Sequence, residues 1–451
     1  MASSKQKLEY VKNIDAHILI TKAIRAGICT NPQRYTERNQ PGELNYNPEK
    51  PLKAIAFLDV SSMYLWAQTK KLYHGGLRKL SEEEVMAFKI METDTEEKIC
   101  LDKYLASDLQ KKMCKENPQL TSYFGKEAYL LTLYDKEDYC DFLPSIKTAA
   151  KYGLEIEPLE IWEFDQSDYV EPWMREKNEG KRTAPTKSEA QTLKLIANAE
   201  REIKSPNFKT FTILNKGMVL IEKKRNKILN SHTIVGGHIL SRARSRFYEL
   251  YYAMKKKCPN NEGPGSLRLN YTDTDSFCMT FEGTQKEFYE MLEQVELDDE
   301  KIMDWSWIDD NKVGEDNIEA GIFLKKKAYA LKVSINEEKE KIEKSQEMAE
   351  TMKEKCIREI IKLKGVGKSF MKDCSFETYR DTMFKDKIDR VVVHLMKSID
   401  LQMFNVMQER LRLTPLSESR FLLPPHGVES FAFGHFAIGK GRRETVLEEP
   451  E

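Results

Sequence analysis

The feature of this sequence that most constrains its fold is a Thr-Asp-Thr-Asp turn at residues 272–275, with apolar residues on both sides. Residues 267–282 read as two short strands around this turn, which predicts a β-hairpin with two carboxylates at its tip. Two carboxylates packed together repel each other, and a divalent cation such as magnesium removes that repulsion. A solvated turn that only caps its own backbone is the alternative. The flanking Tyr271 and Ser276 and the strand-like arms favour the metal site.

A second carboxylate stands at the end of an upstream strand. Residues 53–60 read as a buried strand that ends near Asp59, and residues 61–72 read as a helix. An acidic residue at the carboxyl end of a strand lies at a sheet edge, and the turn after it offers backbone N–H groups to phosphates. A helix N-cap aspartate is the common alternative, so this segment alone does not identify a site.

Hydrophobic periodicity predicts two helices outside these segments. The first spans residues 13–27, with its inward positions at Ile14, His17, Ile18, Ile20, Ala23 and Ile24. The second spans residues 237–257, with its apolar positions at Ile239, Leu240, Ala243, Phe247, Leu250, Tyr251 and Met254. Residues 336–363 read as a third, highly charged and solvated helix.

Four short motifs together resemble family B DNA polymerases. Residues 59–64 (Asp-Val-Ser-Ser-Met-Tyr) resemble motif A, and residues 271–276 (Tyr-Thr-Asp-Thr-Asp-Ser) resemble motif C. Residues 327–329 (Lys-Ala-Tyr) are similar to the Lys-x-Tyr motif, and residues 364–365 are similar to the later Lys-Gly motif. The likeness is nearest to the protein-primed branch, in particular to polymerases of Polinton/Maverick transposons and related viruses. It extends from about residue 15 to residue 440.

The resemblance implies an α+β fold of the right-hand polymerase type, with an antiparallel palm sheet, fingers and thumb. The expected parts are an N-terminal remnant that packs on the palm (1–50), a first palm segment (51–80), an insertion like the terminal-protein region (81–180), truncated fingers with their link to the palm (181–264), a second palm segment (265–335), and the thumb with the C-terminal region (336–451). We expect the thumb to be largely helical.

The implied activity is DNA-directed DNA synthesis with two Mg²⁺ ions, for which Mn²⁺ could substitute. The catalytic residues would be Asp59, Asp273 and Asp275, with Asp59 and Asp275 as the metal ligands, so these carboxylates must converge in the fold. The incoming nucleotide would contact Ser62, Met63, Tyr64, Arg182, Lys194 and Asn198. The DNA would contact Tyr271, Ser276, Lys327, Tyr329, Lys364 and Gly365.

Ordinary structural roles remain open for several of these residues. Tyr64 could be a half-buried core tyrosine, and Lys194 could be an exposed surface lysine. Lys327 and Tyr329 could belong to a basic surface strand.

The sequence departs from the family pattern at two places. Residues 194–198 resemble the start of motif B, but Glu200-Arg201 stands where an aromatic-glycine pair is usual. Only 58 residues precede Asp59 and they contain no Asp-x-Glu motif, so we expect no exonuclease and no proofreading by this chain. The alternative function is therefore an inactive, transposon-derived DNA-binding relic. Reverse transcriptases and RNA polymerases prefer adjacent aspartates, and the intervening Thr274 argues against them.

The resemblance implies that the partners are primer-template DNA, dNTPs and a terminal protein that would act as primer. The net charge of −1 argues against a basic coat protein, but lysine triplets at 255–257 and 325–327 supply local positive charge. No apolar run approaches the ~18 residues of a membrane span, so no membrane partner is expected. Eight cysteines without a CxxC pair fit an intracellular protein, and the lysine triplets are weak nuclear signals.

Overall fold

The computed structural model describes residues 7–41, 46–60, 63–90, 96–99, 133, 138–172, 208–215, 218–223, 232–258, 260–295, 317–334, 357–364, 366–399, 402–417, 419–435 and 438. Its helices are α1 (Ile14–Ala23), α2 (Met63–Gln68), α3 (Glu82–Met86), α4 (Leu143–Lys151), α5 (Thr233–Lys257), α6 (Gln285–Glu293) and α7 (Phe376–Phe384), with a 3₁₀ turn at Lys368–Met371. No helix in these ranges is both long and apolar enough to cross a membrane.

The strands in the first half of the chain are β1 (Cys29–Thr30), β2 (Tyr35–Glu37), β3 (Ala54–Asp59), β4 (Leu72–Lys79), β5 (Glu96–Ile99), β6 (Asp138–Phe142), β7 (Trp162–Ser167), β8 (Phe208–Asn215) and β9 (Met218–Lys223). Those in the second half are β10 (Leu267–Asp273), β11 (Ser276–Phe281), β12 (Asn317–Lys325), β13 (Ala328–Ser334), β14 (Ile357–Leu363), β15 (Asp389–Ile399), β16 (Gln402–Leu413), β17 (Phe421–Leu422) and β18 (Ser430–Phe431). Every strand pair is antiparallel.

The chain forms two compact units, and each is assembled from separate stretches of sequence. The first unit contains Met1–Ala26, Ser62–Cys100 and Glu137–Tyr248, and the second contains Gly27–Ser61, Leu101–Lys136 and Glu249–Glu451.

The first unit contains a sheet with strand order β4-β7-β5-β6. Helix α1 contributes to its core, but the buried face differs from the prediction. The helix buries Ala16, Leu19, Ile20 and Ala23, whereas Ile14 is 75% exposed and Ile18 is 49% exposed. At about 100° per residue the buried set forms one stripe, and the two exposed isoleucines lie on the opposite side. The helix also ends at Ala23 rather than Gly27, because Ile24 adopts an extended conformation.

The second unit contains two four-stranded sheets, with strand orders β1-β10-β11-β3 and β14-β13-β12-β2. Strands β10 and β11 form the hairpin predicted for residues 267–282, and β3 confirms the strand predicted for residues 53–60. Apolar side chains of both sheets share one core cluster, which comprises Ile55, Tyr271, Cys278, Ile318, Phe323, Leu331 and Val333. This core fixes the two hairpins, β10-β11 and β12-β13, against each other.

Helical residues cover the opposite face of the first sheet. Phe288 of α6 stacks on Phe281 of β11 with ring centroids 5.2 Å apart. Tyr251, in the C-terminal part of α5, stacks on Phe277 at 6.5 Å. Helix α5 includes the whole segment predicted at residues 237–257.

The C-terminal part of the chain corrects the expectation of a largely helical thumb. Residues 357–363, predicted as the end of a charged helix, form β14 and pair along their full length with β13. Tertiary pairing with an existing sheet here overrides a helical charge pattern. Further on, β15 and β16 form a long two-stranded hairpin. Among the described helices and strands from residue 357 onward, the short α7 is the one α-helix.

Candidate active site

One row of paired residues crosses all four strands of the first sheet beside the acidic turn. Cys29 pairs with Asp273, Asp273 pairs with Ser276, and Ser276 pairs with Asp59. Directly opposed residues of antiparallel strands project from the same face of a sheet. The side chains of Asp59 and Asp273 therefore leave one face, separated by one strand.

The second carboxylate of the turn belongs to the same end of the sheet. The backbone N–H of Val60, next to Asp59, donates to the carbonyl of Asp275 at 2.7 Å. The charge of Asp275 reaches Lys327 and that of Asp59 reaches Tyr329, where each raises the partner's pKa. The three predicted catalytic aspartates thus occur at neighbouring strand ends of one sheet.

The acidic turn is held by the segment that precedes β1. Thr274 adopts a left-handed conformation with φ of 70°, and its N–H donates to the carbonyl of Ile28 at 2.7 Å. Gly27 approaches this turn so closely that a Cβ there would lie 2.6 Å from Cγ2 of Thr274. Only glycine fits at this position without moving the turn.

Lys327 connects the second sheet to the acidic turn. It occupies the β12-β13 turn with φ of 58°, and its ammonium donates to Oδ1 of Asp273 at 2.6 Å. Burial lowers the pKa of Lys327, but the hydrogen bond and charge of Asp273 outweigh burial and raise it overall. The hydroxyl of Thr274 donates to the same Oδ1 at 3.2 Å. Asp273 is therefore an ion-pair partner of Lys327 in this structure.

An aromatic cluster supports the carboxylates from within the core. Tyr271 is fully buried, and its ring centroid lies 5.2 Å from those of both Phe323 and Tyr329. Its hydroxyl accepts the backbone N–H of Lys327 at 3.0 Å. Direct contact of Tyr271 with DNA would require this stack to open, so its observed role is support. Burial, followed by the charges of Asp273 and Asp59, raises the pKa of the half-buried Tyr329.

Ser276 and the lysines near the hairpin turn complete the predicted DNA-contact set. Ser276 is buried, and its hydroxyl donates to the backbone carbonyl of Asp273 at 3.3 Å. Lys364 is exposed, and its N–H donates to the carbonyl of Lys327 at 3.1 Å. Lys326 is also exposed, so positive charge gathers at one end of the second sheet. Gly365 lies outside the described residues.

Two of the six predicted nucleotide contacts lie within the described residues. Met63 is buried and Tyr64 is half-buried, and both lie in the first turn of α2 in the first unit. Two cations contact the ring of Trp66 in the same helix, with Arg246 4.6 Å and Lys70 4.8 Å from its centroid. The remaining four, Ser62, Arg182, Lys194 and Asn198, lie outside the described residues.

Cys29 is a member of the site that sequence reasoning missed. Its Sγ lies 3.6 Å from Oδ1 of Asp273 and 3.9 Å from the hydroxyl of Tyr271. Burial raises the pKa of Cys29 to about 11, and the charge of Asp273 adds to this effect. No motif marks Cys29, because pairing across 244 residues of sequence brings it to Asp273.

The described residues contain no group of three His, Cys, Asp or Glu side chains that could hold a metal ion by themselves. Asp59 and Asp275 nevertheless supply the hard oxygen donors that Mg²⁺ prefers, and Mg²⁺ commonly takes one or two carboxylates with substrate phosphates and waters. The donor set fits a metal that is completed by substrate.

Comparison with solved structures identifies the fold. Phi29 DNA polymerase in complex with primer-template DNA and incoming nucleotides matches 91% of this chain with a TM-score of 0.52 and 14% sequence identity. The complex of the same polymerase with primer-template DNA alone matches 90% of this chain, again with a TM-score of 0.52 and 14% identity. The chain has a DNA-polymerase-like fold. This result confirms the predicted α+β, right-hand polymerase class.

The structural match covers part of the solved polymerase and has a low sequence identity. The chain spans 64% of the length of the solved polymerase chains that it matches. No protein-family model matches the sequence, and no curated protein matches it. At 14% identity the solved structures show the fold alone.

Proposed function

We propose that this chain is a DNA-directed DNA polymerase that adds dNTPs to the 3′-hydroxyl of a primer on a DNA template. The observation that carries the proposal is the placement of Asp59 beside the Asp273–Asp275 hairpin within a polymerase-like fold. The solved polymerase with that fold is bound to primer-template DNA and nucleotides. An inactive DNA-binding relic is not favoured, since Asp59, Asp273 and Asp275 are all present at neighbouring strand ends.

Asp59 and Asp275 would hold the two Mg²⁺ ions. When bound, the metal ions would activate the primer hydroxyl and stabilise charge on the triphosphate and pyrophosphate. Asp273 would act differently, by fixing the ammonium of Lys327 through their 2.6 Å contact.

Lys327, Tyr329 and Lys364 would bind the primer terminus. Lys327 and Lys364 are adjacent at the end of the second sheet, and an ammonium group binds phosphate as a compact point charge. Positioning of this kind is the main contribution a protein makes to phosphoryl and nucleotidyl transfer.

The nucleotide contacts proposed for Tyr64 and the other five residues rest on the resemblance. Tyr64 would lie under the incoming sugar and exclude a 2′-hydroxyl. Priming by a terminal protein, a transposon or viral origin, and a nuclear location remain proposals of the same kind.

Primer extension with magnesium tests the proposal. The wild type should extend a labelled primer on a DNA template, and Asp275→Asn should reduce the rate by about a hundredfold or more, because a charge that binds metal is lost. Asp381→Asn is the matched control, since Asp381 pairs with Lys385 on the surface of α7. Undiminished extension by Asp275→Asn would refute the site, and no extension by the wild type would refute the activity.

A further inference from the structure

Four residues in the second unit form a closed ring of polar contacts. The backbone N–H of Lys327 donates to the hydroxyl of Tyr271 at 3.0 Å, and that hydroxyl lies 3.9 Å from Sγ of Cys29. The thiol of Cys29 donates to Oδ1 of Asp273 at 3.6 Å, and the ammonium of Lys327 donates to the same oxygen at 2.6 Å. The ring therefore begins and ends at Lys327.

The protonation states determine which atom donates and which accepts in each contact of this ring. Burial raises the pKa of Cys29 to about 11, so its thiol carries a proton at neutral pH and can donate to a carboxylate. Burial also raises the pKa of Tyr271, so the phenol is neutral while it accepts from Lys327. Its own proton can then point toward the sulfur of Cys29, which is a weak acceptor.

Cys29 reaches this position because a very short strand is held in register. Strand β1 has two residues, and they pair with Asp273 and Thr272. The hydroxyl of Thr272 accepts the backbone N–H of Thr30 at 3.2 Å, which secures the register. Cys29 is also the one half-buried thiol among the described cysteines, since Cys140, Cys258, Cys278 and Cys374 are buried.

We propose that Cys29 is a positioning residue for Asp273 in the polymerase reaction, an inference that rests on the proposed function. Oδ1 of Asp273 accepts from three donors, which are this thiol, the hydroxyl of Thr274 and the ammonium of Lys327. Together these contacts would fix the rotamer of Asp273. A fixed carboxylate in turn fixes the ammonium group that would bind the primer. Polar groups that orient a functional side chain contribute to activity without touching the substrate.

Three variants of the full chain test this role by steady-state single-nucleotide incorporation. Cys29→Ala removes the donor, and we expect kcat to fall about tenfold while KM for dNTP changes less than about twofold. Cys29→Ser keeps a donor of similar size and should restore most of kcat. Cys374→Ala removes a buried thiol outside the ring and should leave both constants unchanged.

Thermal unfolding separates failure of this role from failure of the proposed function. In a double-mutant cycle, Cys29→Ala and Asp273→Asn should change the melting temperature non-additively, because they remove two ends of one contact. A wild-type kcat in Cys29→Ala, an equally slow Cys29→Ser, or additive unfolding effects would each overturn the proposal. If the wild type extended no primer, the proposed function and the role of Cys29 in the reaction would both be overturned. The double-mutant cycle would still show whether Cys29 and Asp273 interact.

Discussion

The ammonium of Lys327 lies 2.6 Å from Oδ1 of Asp273, a contact that joins the turns of two hairpins in different sheets. The side chain of Lys327 is 40% exposed and that of Asp273 is 22% exposed, so solvent reaches the pair. An exposed ion pair contributes little to stability. The ion pair would act mainly through orientation, because it holds a cation at a fixed place near Asp275.

The first prediction concerns this cation. Lys327→Met should raise KM for the primer-template about tenfold, because hydrogen bonds to charged groups contribute more than neutral ones. The melting temperature should change little. Lys326→Met, which removes an exposed neighbouring lysine, is the control and should have a much smaller effect on KM. Equal effects of the two variants would indicate a general basic surface instead of a specific contact.

A second prediction concerns the hydroxyl of Tyr271. Tyr271→Phe keeps the aromatic stack but leaves the N–H of Lys327 without its acceptor. This hydrogen bond is part-buried, and a bond of this kind contributes about 0.5–1.5 kcal/mol, so the free energy of unfolding in urea should decrease by that amount. Tyr289→Phe, at a tyrosine that is 36% exposed, should change it far less. No loss in Tyr271→Phe would mean that water replaces the hydroxyl.

The third prediction concerns the approach of Gly27 to the acidic turn. A Cβ on Gly27 would lie 2.9 Å from Cα of Thr274, so Gly27→Ala must displace the turn that carries Asp273 and Asp275. We expect extension to be lost while the second unit still unfolds cooperatively. Gly236→Ala is the control, because a Cβ on Gly236 meets no atom within 4 Å. Normal extension by Gly27→Ala would show that the turn tolerates the shift.

A fourth prediction concerns the pH dependence of stability near the C-terminal hairpin. Arg412 donates to Asp373 at 2.7 Å, and this hydrogen bond lowers the pKa of Asp373 in the folded state. A lowered carboxylate pKa stabilises the fold above the unfolded pKa, and this contribution is lost as the pH falls through the folded pKa. Asp373→Asn should therefore flatten the acid side of the stability profile. An unchanged acid profile in Asp373→Asn would exclude Asp373 as a contributor.

The acidic hairpin and the strand before Asp59 could be predicted because both carry local signals. Apolar runs flank the acidic turn, and a continuous apolar run precedes Asp59. The family resemblance then related the two segments. The antiparallel pairing of β11 with β3, which brings Ser276 opposite Asp59, follows the arrangement that the resemblance implied.

Other features could not be predicted from the local sequence. Cys29 acquires its role only through the pairing of β1 with β10, and a two-residue strand carries no periodicity. The predicted inward positions of α1 were right at Ile20 and Ala23 and wrong at Ile14 and Ile18, which are apolar yet exposed. Residues 357–363 form a strand because β13 offers a partner, which a charge pattern along the sequence does not reveal.

The most direct test of the shared metal site compares Asp59→Asn, Asp275→Asn and the double variant in magnesium-dependent primer extension. When two residues act as one unit, removing either one costs nearly as much activity as removing both. The double variant should therefore extend the primer no more slowly than the single variants. All three should melt within a few degrees of the wild type. Extension that survives Asp59→Asn, or rate losses that multiply in the double variant, would contradict a shared metal site.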